Sequence, residues 1–255
     1  YIAPLKGKSE WGYMPAYFLS ARYNLHRNYS EYYLEKGDLT NKDINHILSQ
    51  FDESKKTVFD ATYADEEYEK YKNNQIDDSK DWISLKKQIS GKNIIVLAPG
   101  ATIHSHKDEI ERFMKKEDAV VISINFIPKE FNVDYAFFSN NKRLSTTDSF
   151  SGKMIVTSNL IDGKADYIIN YNLVAGAFKQ GCNSFIMCLK FLKNLKVGNI
   201  YVAGADGYIE HGNNYYDSSI KSATSHGNSF NVAVKEAIHN LGVNVRFITP
   251  SKYSN

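Results

Sequence analysis

Asn93-Ile94-Ile95-Val96-Leu97, followed by Ala98-Pro99-Gly100-Ala101-Thr102, a charged stretch from about His106 to Lys116, and Ala119-Val120-Val121-Ile122-Ser123-Ile124, reads as strand, small-residue turn, helix and strand. Short apolar runs without polar alternation are the pattern of strands covered on both faces. The same pattern recurs outward from this unit at Val133 to Ser139, Lys153 to Thr157, Asp166 to Asn170, Asn199 to Ala203 and Val243 to Ile248. Two helices separate the last three strands. One carries Phe178, Cys182, Phe185, Ile186, Leu189, Leu192 and Leu195 at helical spacing, and the other runs from about Asn228 to Leu241. Strands alternating with helices predict an α/β domain with a mostly parallel sheet and helices on both faces.

Upstream the composition changes. Residues 1 to about 72 hold ten of the 18 tyrosines and read as helices: Tyr17 to Tyr23, Tyr29 to Lys36 stopped by Gly37, and Lys42 to Gln50 with Thr40 as its N-cap. The polar stretch Asn73 to Lys80 reads as a linker. The expected organisation is therefore a small all-α segment over 1–75, a linker over 76–91 and the α/β domain over 92–255.

The 255 residues carry 31 Lys+Arg against 29 Asp+Glu, a net charge of +2 that excludes a strongly basic nucleic-acid surface. A content of 42% hydrophobic and 24% charged residues is that of a folded chain. No apolar run approaches the ~20 residues of a membrane-spanning helix, and no charged-then-apolar leader opens the chain. It opens on Tyr1 rather than Met, so it reads as part of something longer. Cys182 and Cys188 lie six apart in one expected helix, too far along its axis for a bridge, which suits a reduced, cytoplasmic setting.

In an open α/β sheet, ligands bind outside the carboxyl ends of the strands, so the residues there are the candidates. Gly100, beside Thr102, either allows a phosphate or ribose to approach the backbone or simply makes a tight turn. Asn125 ends the second strand and either reads a base or sugar edge or caps a turn. Asn183 and Ser184 open a helix, where they cap it or meet a ligand at its positive end. Asp206, Tyr208 and Tyr215 share a glycine-containing loop after Ala203. Phenol hydroxyls there suit a phosphate leaving group, or the loop is merely a tyrosine-rich surface. His226, before the last long helix, has the chemistry of a general base. His104, His106, His211 and His239 share no ligand spacing with it, so no metal site is expected.

Together, Leu97 to Ile103, Ser123-Ile124-Asn125, Ser184 to Cys188, Ile200 to Tyr208, Gly212 to Tyr215 and Ser225-His226-Gly227 resemble the bacterial sialyltransferases of the Campylobacter type over residues 93 to about 250. The resemblance implies a Rossmann-like domain, a CMP-activated sugar donor, a glycan or small-molecule acceptor, no metal, and inversion at the anomeric carbon. It implies His226 as general base and Tyr208 and Tyr215 on the departing nucleotide phosphate, with Gly100, Thr102, Asn125, Ser184 and Asp206 in nucleotide-contacting segments. Two departures stand out. Pro99 replaces an Asn that the family sets between two glycines, which loses a side-chain contact to the nucleotide. Phe185 replaces a Gly after the serine and is expected to narrow the donor pocket.

Trp11 to Ala21, Leu39 to Ile44 and Phe59-Asp60 resemble the segment after the TIM barrel in aldolases of the 4-hydroxy-2-oxovalerate and HMG-CoA lyase group. That resemblance implies a parent chain with an amino-terminal aldolase barrel absent from these 255 residues. Three functions are then expected in order: a nucleotide-sugar transferase, a non-catalytic docking region of an aldolase, or a pterin or nucleotide diphosphokinase using ATP and Mg²⁺. A homo-oligomer is compatible with each, and no nucleic-acid partner or transmembrane segment is expected.

Overall fold

The computed structural model describes residues 76–144, 150–160, 165–175, 183–209, 214–216 and 227–254. The aldolase-like helices over 1–72, Cys182 and His226 lie outside them.

The elements in chain order are α1 (Ser79–Ile89), β1 (Asn93–Leu97), α2 (Thr102–Ser105), α3 (Lys107–Lys116), β2 (Ala119–Ile124), β3 (Tyr135–Phe138), α4 (Asn141–Leu144), β4 (Lys153–Thr157), β5 (Tyr167–Ile169), α5 (Tyr171–Val174), α6 (Ser184–Leu195), β6 (Ile200–Ala203), α7 (Gly227–Leu241) and β7 (Val245–Phe247). The strands form one seven-stranded sheet in the order β5-β4-β3-β2-β1-β6-β7, every neighbouring pair parallel. This is the α/β architecture with a parallel sheet that the strand–helix alternation predicts, and it is Rossmann-like, as the resemblance implies. The strand order reverses between β1 and β6, which puts a crevice at their carboxyl ends.

Strand residues are almost all buried, yet they sort by parity. Ile94, Val96, Ile122, Ile124, Tyr135, Phe137, Ile155, Ile200 and Val202 pack with α1, α6 and α7. Ile95, Leu97, Val121, Tyr201 and Ala203 pack on the opposite face with Ile103 and Ile110 of α2 and α3. Successive side chains point to opposite faces, so a run of Val and Ile serves both layers at once. Helix α6 is the central brace: Phe185, Ile186, Met187, Cys188, Leu189, Phe191, Leu192 and Leu195 are all buried. Its first turn is capped by Asn183, whose Oδ1 accepts from the backbone N–H of Phe185 at 3.0 Å and of Ile186 at 3.2 Å.

The stretch 76–91, expected as a linker, instead contains α1, whose Leu85 and Ile89 are fully buried and whose Trp82 packs against Phe191 at 5.5 Å between ring centroids. Its polar residues are what hold it. Asp81 accepts from the outward-facing N–H of Ile168 on edge strand β5 at 2.8 Å, and Asp78 accepts from Asn170 N at 2.8 Å and Trp82 Nε1 at 2.7 Å. These carboxylates give the edge backbone the partners that an unpaired strand lacks. Among the described residues, no helix is long and apolar enough to cross a membrane.

Candidate functional site

The turn after β1 and the turn after β6 cross each other at the switch point. Gly100 N donates to Gly204 O at 2.8 Å, and a Cβ built on Gly100 would lie 2.2 Å from that same carbonyl. Gly204 has φ +75° and its own Cβ would meet Ala98 O at 2.0 Å. Both glycines are therefore required by the approach of two protein backbones.

Side chains reinforce the crossing. Asp206 Oδ2 accepts from Thr102 N at 2.9 Å, and Thr102 Oγ1 donates to Asp206 Oδ1. Thr249, just past β7, accepts from Gly204 N at 3.0 Å and lies 3.0 Å from Thr102 Oγ1. Farther along the chain end, Ser251 Oγ donates to Ala205 O at 2.5 Å and Lys252 N donates to Asp206 O at 2.9 Å. Three strand ends are thus laced together by residues 249–252.

A second tie joins β2, β3 and α6. Asn125 takes a left-handed φ of +56°, which Asn tolerates better than most residues. Its Oδ1 accepts from Ser139 N at 3.0 Å and its Nδ2 donates to Ser184 Oγ at 2.6 Å. Ser139 Oγ donates to the same Ser184 oxygen at 2.7 Å. Ser184 Oγ is thus the shared meeting point of Asn125 and Ser139.

The phenols gather over these ties. Tyr208 is half-buried, packed edge-on against Phe230 at 5.7 Å, and its backbone exchanges two 2.8 Å hydrogen bonds with the Asn231 side chain of α7. Asn183, whose Oδ1 is committed to the cap, lies close enough to the Tyr208 phenol to oppose part of its upward shift. Burial first, then the nearby Tyr215, holds the Tyr208 phenol well above the ordinary tyrosine range. Tyr253 is raised for the same leading reason, burial, followed by the charges of Tyr208, Asp206 and Tyr215. Tyr208, Tyr215, Tyr253 and Asp206 accordingly occupy one neighbourhood, and the two raised phenols are neutral O–H donors over the whole physiological range.

Tyr215 is held in place by its neighbour. Tyr216 N donates to Pro99 O at 3.0 Å, and the Tyr216 ring packs on His104 at 5.6 Å and Phe126 at 5.5 Å. Asn214 closes the loop by accepting from Ile209 N at 2.6 Å. On the far side, the Arg143 guanidinium of α4 lies over the Tyr215 ring, 5.2 Å from its centroid.

Of the candidate residues, Tyr208, Tyr215 and Asp206 come together, with Ser184 next to the Asn183 cap at the foot of α6. Gly100 and Thr102 reach the same switch point through Asp206. Asn125 and Ser184 form the neighbouring tie, and His226 lies outside the described residues. Phe185 is turned into the core, stacked on Tyr253 at 6.2 Å and 18°. Sequence reading missed Arg143, Thr249 and Tyr253. A basic residue just past β3 was the available signal for the first, whereas nothing local marks the other two. Among the described residues, no group of three or more His, Cys, Asp or Glu is placed to hold a metal ion.

No family model and no curated protein matches the chain. A solved structure of a mammalian sialyltransferase in complex with Gal-beta-1-3GalNAc-ortho-nitrophenol aligns with 71% of this chain and 84% of that chain, at 12% sequence identity and a TM-score of 0.41.

Proposed function

We propose that the α/β unit is a glycosyltransferase domain that moves a sugar from a CMP-type nucleotide donor to an acceptor hydroxyl, without a metal. The observation that carries this reading is the neighbourhood of Tyr208 and Tyr215 at the switch-point crevice, where the hydrogen bond from Ile209 N to Asn214 draws their segments together. In the reaction, the acceptor oxygen bonds to the anomeric carbon as the carbon–oxygen bond to phosphate breaks. The bonding pair leaves on the phosphate oxygen, and the hydroxyl proton passes to His226. Neutral phenols suit the departing group because they donate hydrogen bonds as its charge grows and bring no negative charge of their own. His226 immediately precedes Gly227, the first residue of α7, and α7 grips the Tyr208 backbone through Asn231.

Calorimetry with a panel of nucleoside monophosphates tests the donor class: CMP should bind, and failure of every nucleotide to bind refutes the reading. In a CMP-release assay with CMP-activated sugars, His226→Ala should cut turnover by about 10²–10⁴-fold and leave CMP affinity nearly intact. Tyr208→Phe should lower turnover by roughly 10²-fold, the scale of losing one donor to a developing oxyanion. Turnover should persist in EDTA, whereas loss on chelation would favour a Mg²⁺-dependent diphosphokinase.

A further inference from the structure

We infer that Arg143 is the cation that holds the anionic group of the ligand at this rim, its guanidinium gripping the nucleotide phosphate while the Tyr215 ring backs it. This deepens the transferase reading and rests on it. Arg143 belongs to α4, after β3, whereas Tyr215 follows β6. In the sheet, β2 and β1 lie between those strands, and Tyr216, next to Tyr215, is anchored on Pro99 after β1 and packs on Phe126 after β2. Their contact therefore lies at the carboxyl ends of the central strands, beside the crevice between β1 and β6.

Charge decides what such a contact is for. Among the described residues, the side chains grouped with Tyr215 besides Arg143 are Tyr208, Tyr253 and Asp206, and both oxygens of Asp206 are already met by Thr102. That is a poor receptor for an anion. Among the described residues, Lys252 Nζ donates to Tyr208 O at 2.9 Å and Lys190 Nζ donates to Ala175 O at 2.8 Å, each a point charge turned on a backbone carbonyl. A guanidinium differs from both. Its face rests on an aromatic ring while five N–H donors lie in its plane, so a bidentate grip on phosphate coexists with other contacts. The phosphate of a nucleotide sugar is a monoanion that approaches a dianion as the sugar departs. A full positive charge therefore stabilises the products of bond breaking more than the donor.

The test is calorimetry on the full chain with CMP and cytidine, which differ by the phosphate alone. Wild type should prefer CMP. Arg143→Gln should weaken CMP by at least about tenfold with cytidine unchanged, and Arg143→Met, which keeps the apolar stem on Tyr215, should do the same. Circular dichroism identifies which variant is folded, and either one decides the matter. If both variants keep the wild-type ratio of CMP to cytidine affinity, the inference fails while the transferase reading stands. A parallel loss for both ligands also overturns it, because Arg143 would then merely support Tyr215. If wild type binds neither compound, the reading and the inference fall together.

Discussion

Replacing Gly100 by Ala is the most direct trial of the switch-point geometry. A methyl group at that position would lie 2.2 Å from Gly204 O, 2.6 Å from Asp206 Cγ and 2.7 Å from Asp206 Oδ1. An ordinary contact begins near 3.4 Å, so the carbonyl must retreat by about 1.2 Å. It cannot do so alone, because Gly204 N is bonded to Thr249 and Asp206 to Thr102. Overpacking of this kind costs about 1–3 kcal/mol, and the lost Gly100–Gly204 hydrogen bond about 1 more, for a total of about 2–4 kcal/mol. For a unit of this size each kcal/mol lowers Tm by about 2–4 °C, so thermal unfolding followed by circular dichroism should show a drop of roughly 4–16 °C. Gly242→Ala is the calibrating variant. Its φ is +61° with nothing within 4 Å, so only the left-handed backbone is penalised, by about 1 kcal/mol. A Gly100→Ala protein that melts with wild type, or above Gly242→Ala, would show that the two turns do not cross as described. Gly100 would then be free to serve as a site of ligand approach.

Asn183→Ala removes the acceptor for two N–H groups at the start of α6 and should cost about 1–2 kcal/mol in urea unfolding, with Asn183→Asp retaining most of that stability. Asn159 is 2% exposed with neither side-chain polar atom hydrogen-bonded, so Asn159→Leu should raise Tm by a few degrees, and a fall would reveal a partner for the amide. Stability should also decline in alkali. Tyr208, Tyr253 and Cys188 are all raised by burial from ordinary values of 10.0, 10.0 and 9.0, so the unfolded chain loses these protons first. Their contribution is complete below pH 9 and erodes above pH 9–10, by about 1.4 kcal/mol per pH unit for each group. Tyr253→Phe should flatten that decline in denaturation curves taken between pH 9 and 11, and an unchanged slope would contradict the burial of its hydroxyl.

The fold was legible because a doubly covered parallel sheet writes itself as apolar runs. β1, β2 and β4 begin and end where those runs do. β3, β5, β6 and β7 are shorter than their runs, and at two ends side chains explain the difference: Ser139 N goes to Asn125 Oδ1 and Asn170 N to Asp78. Helix α1 was lost inside a supposed linker for a tertiary reason. Asp78 and Asp81 look like solvated linker residues until β5 offers them backbone N–H groups, a partnership 87 to 92 residues away in the chain. The apolar spacing Trp82, Leu85, Ile89 was the signal that polarity obscured. In the site, tyrosine chemistry pointed to Tyr208 and Tyr215. Arg143 and Tyr253 could not be found the same way, since the contact of Arg143 with Tyr215 and that of Tyr253 with Phe185 depend on strand order, and a local pattern reveals that a strand exists but not which neighbours it takes.

Hydrogen-bond accounting divides the rim into two groups of residues. Asn125, Thr102 and Asp206 direct their polar atoms to other parts of the chain, joining β2 to β3 and α6, and the β1 turn to the β6 turn. Tyr208, Tyr215 and Arg143 are carried by the segments so joined. A donor helps a departing phosphate only if it already points where charge will develop, since reorganising it during the reaction would forfeit much of the gain. The ties achieve this with short polar side chains, which lose little rotamer freedom on being fixed. On the proposed function, Asn125, Thr102 and Asp206 would act at one remove, by fixing the turns that carry the phenols.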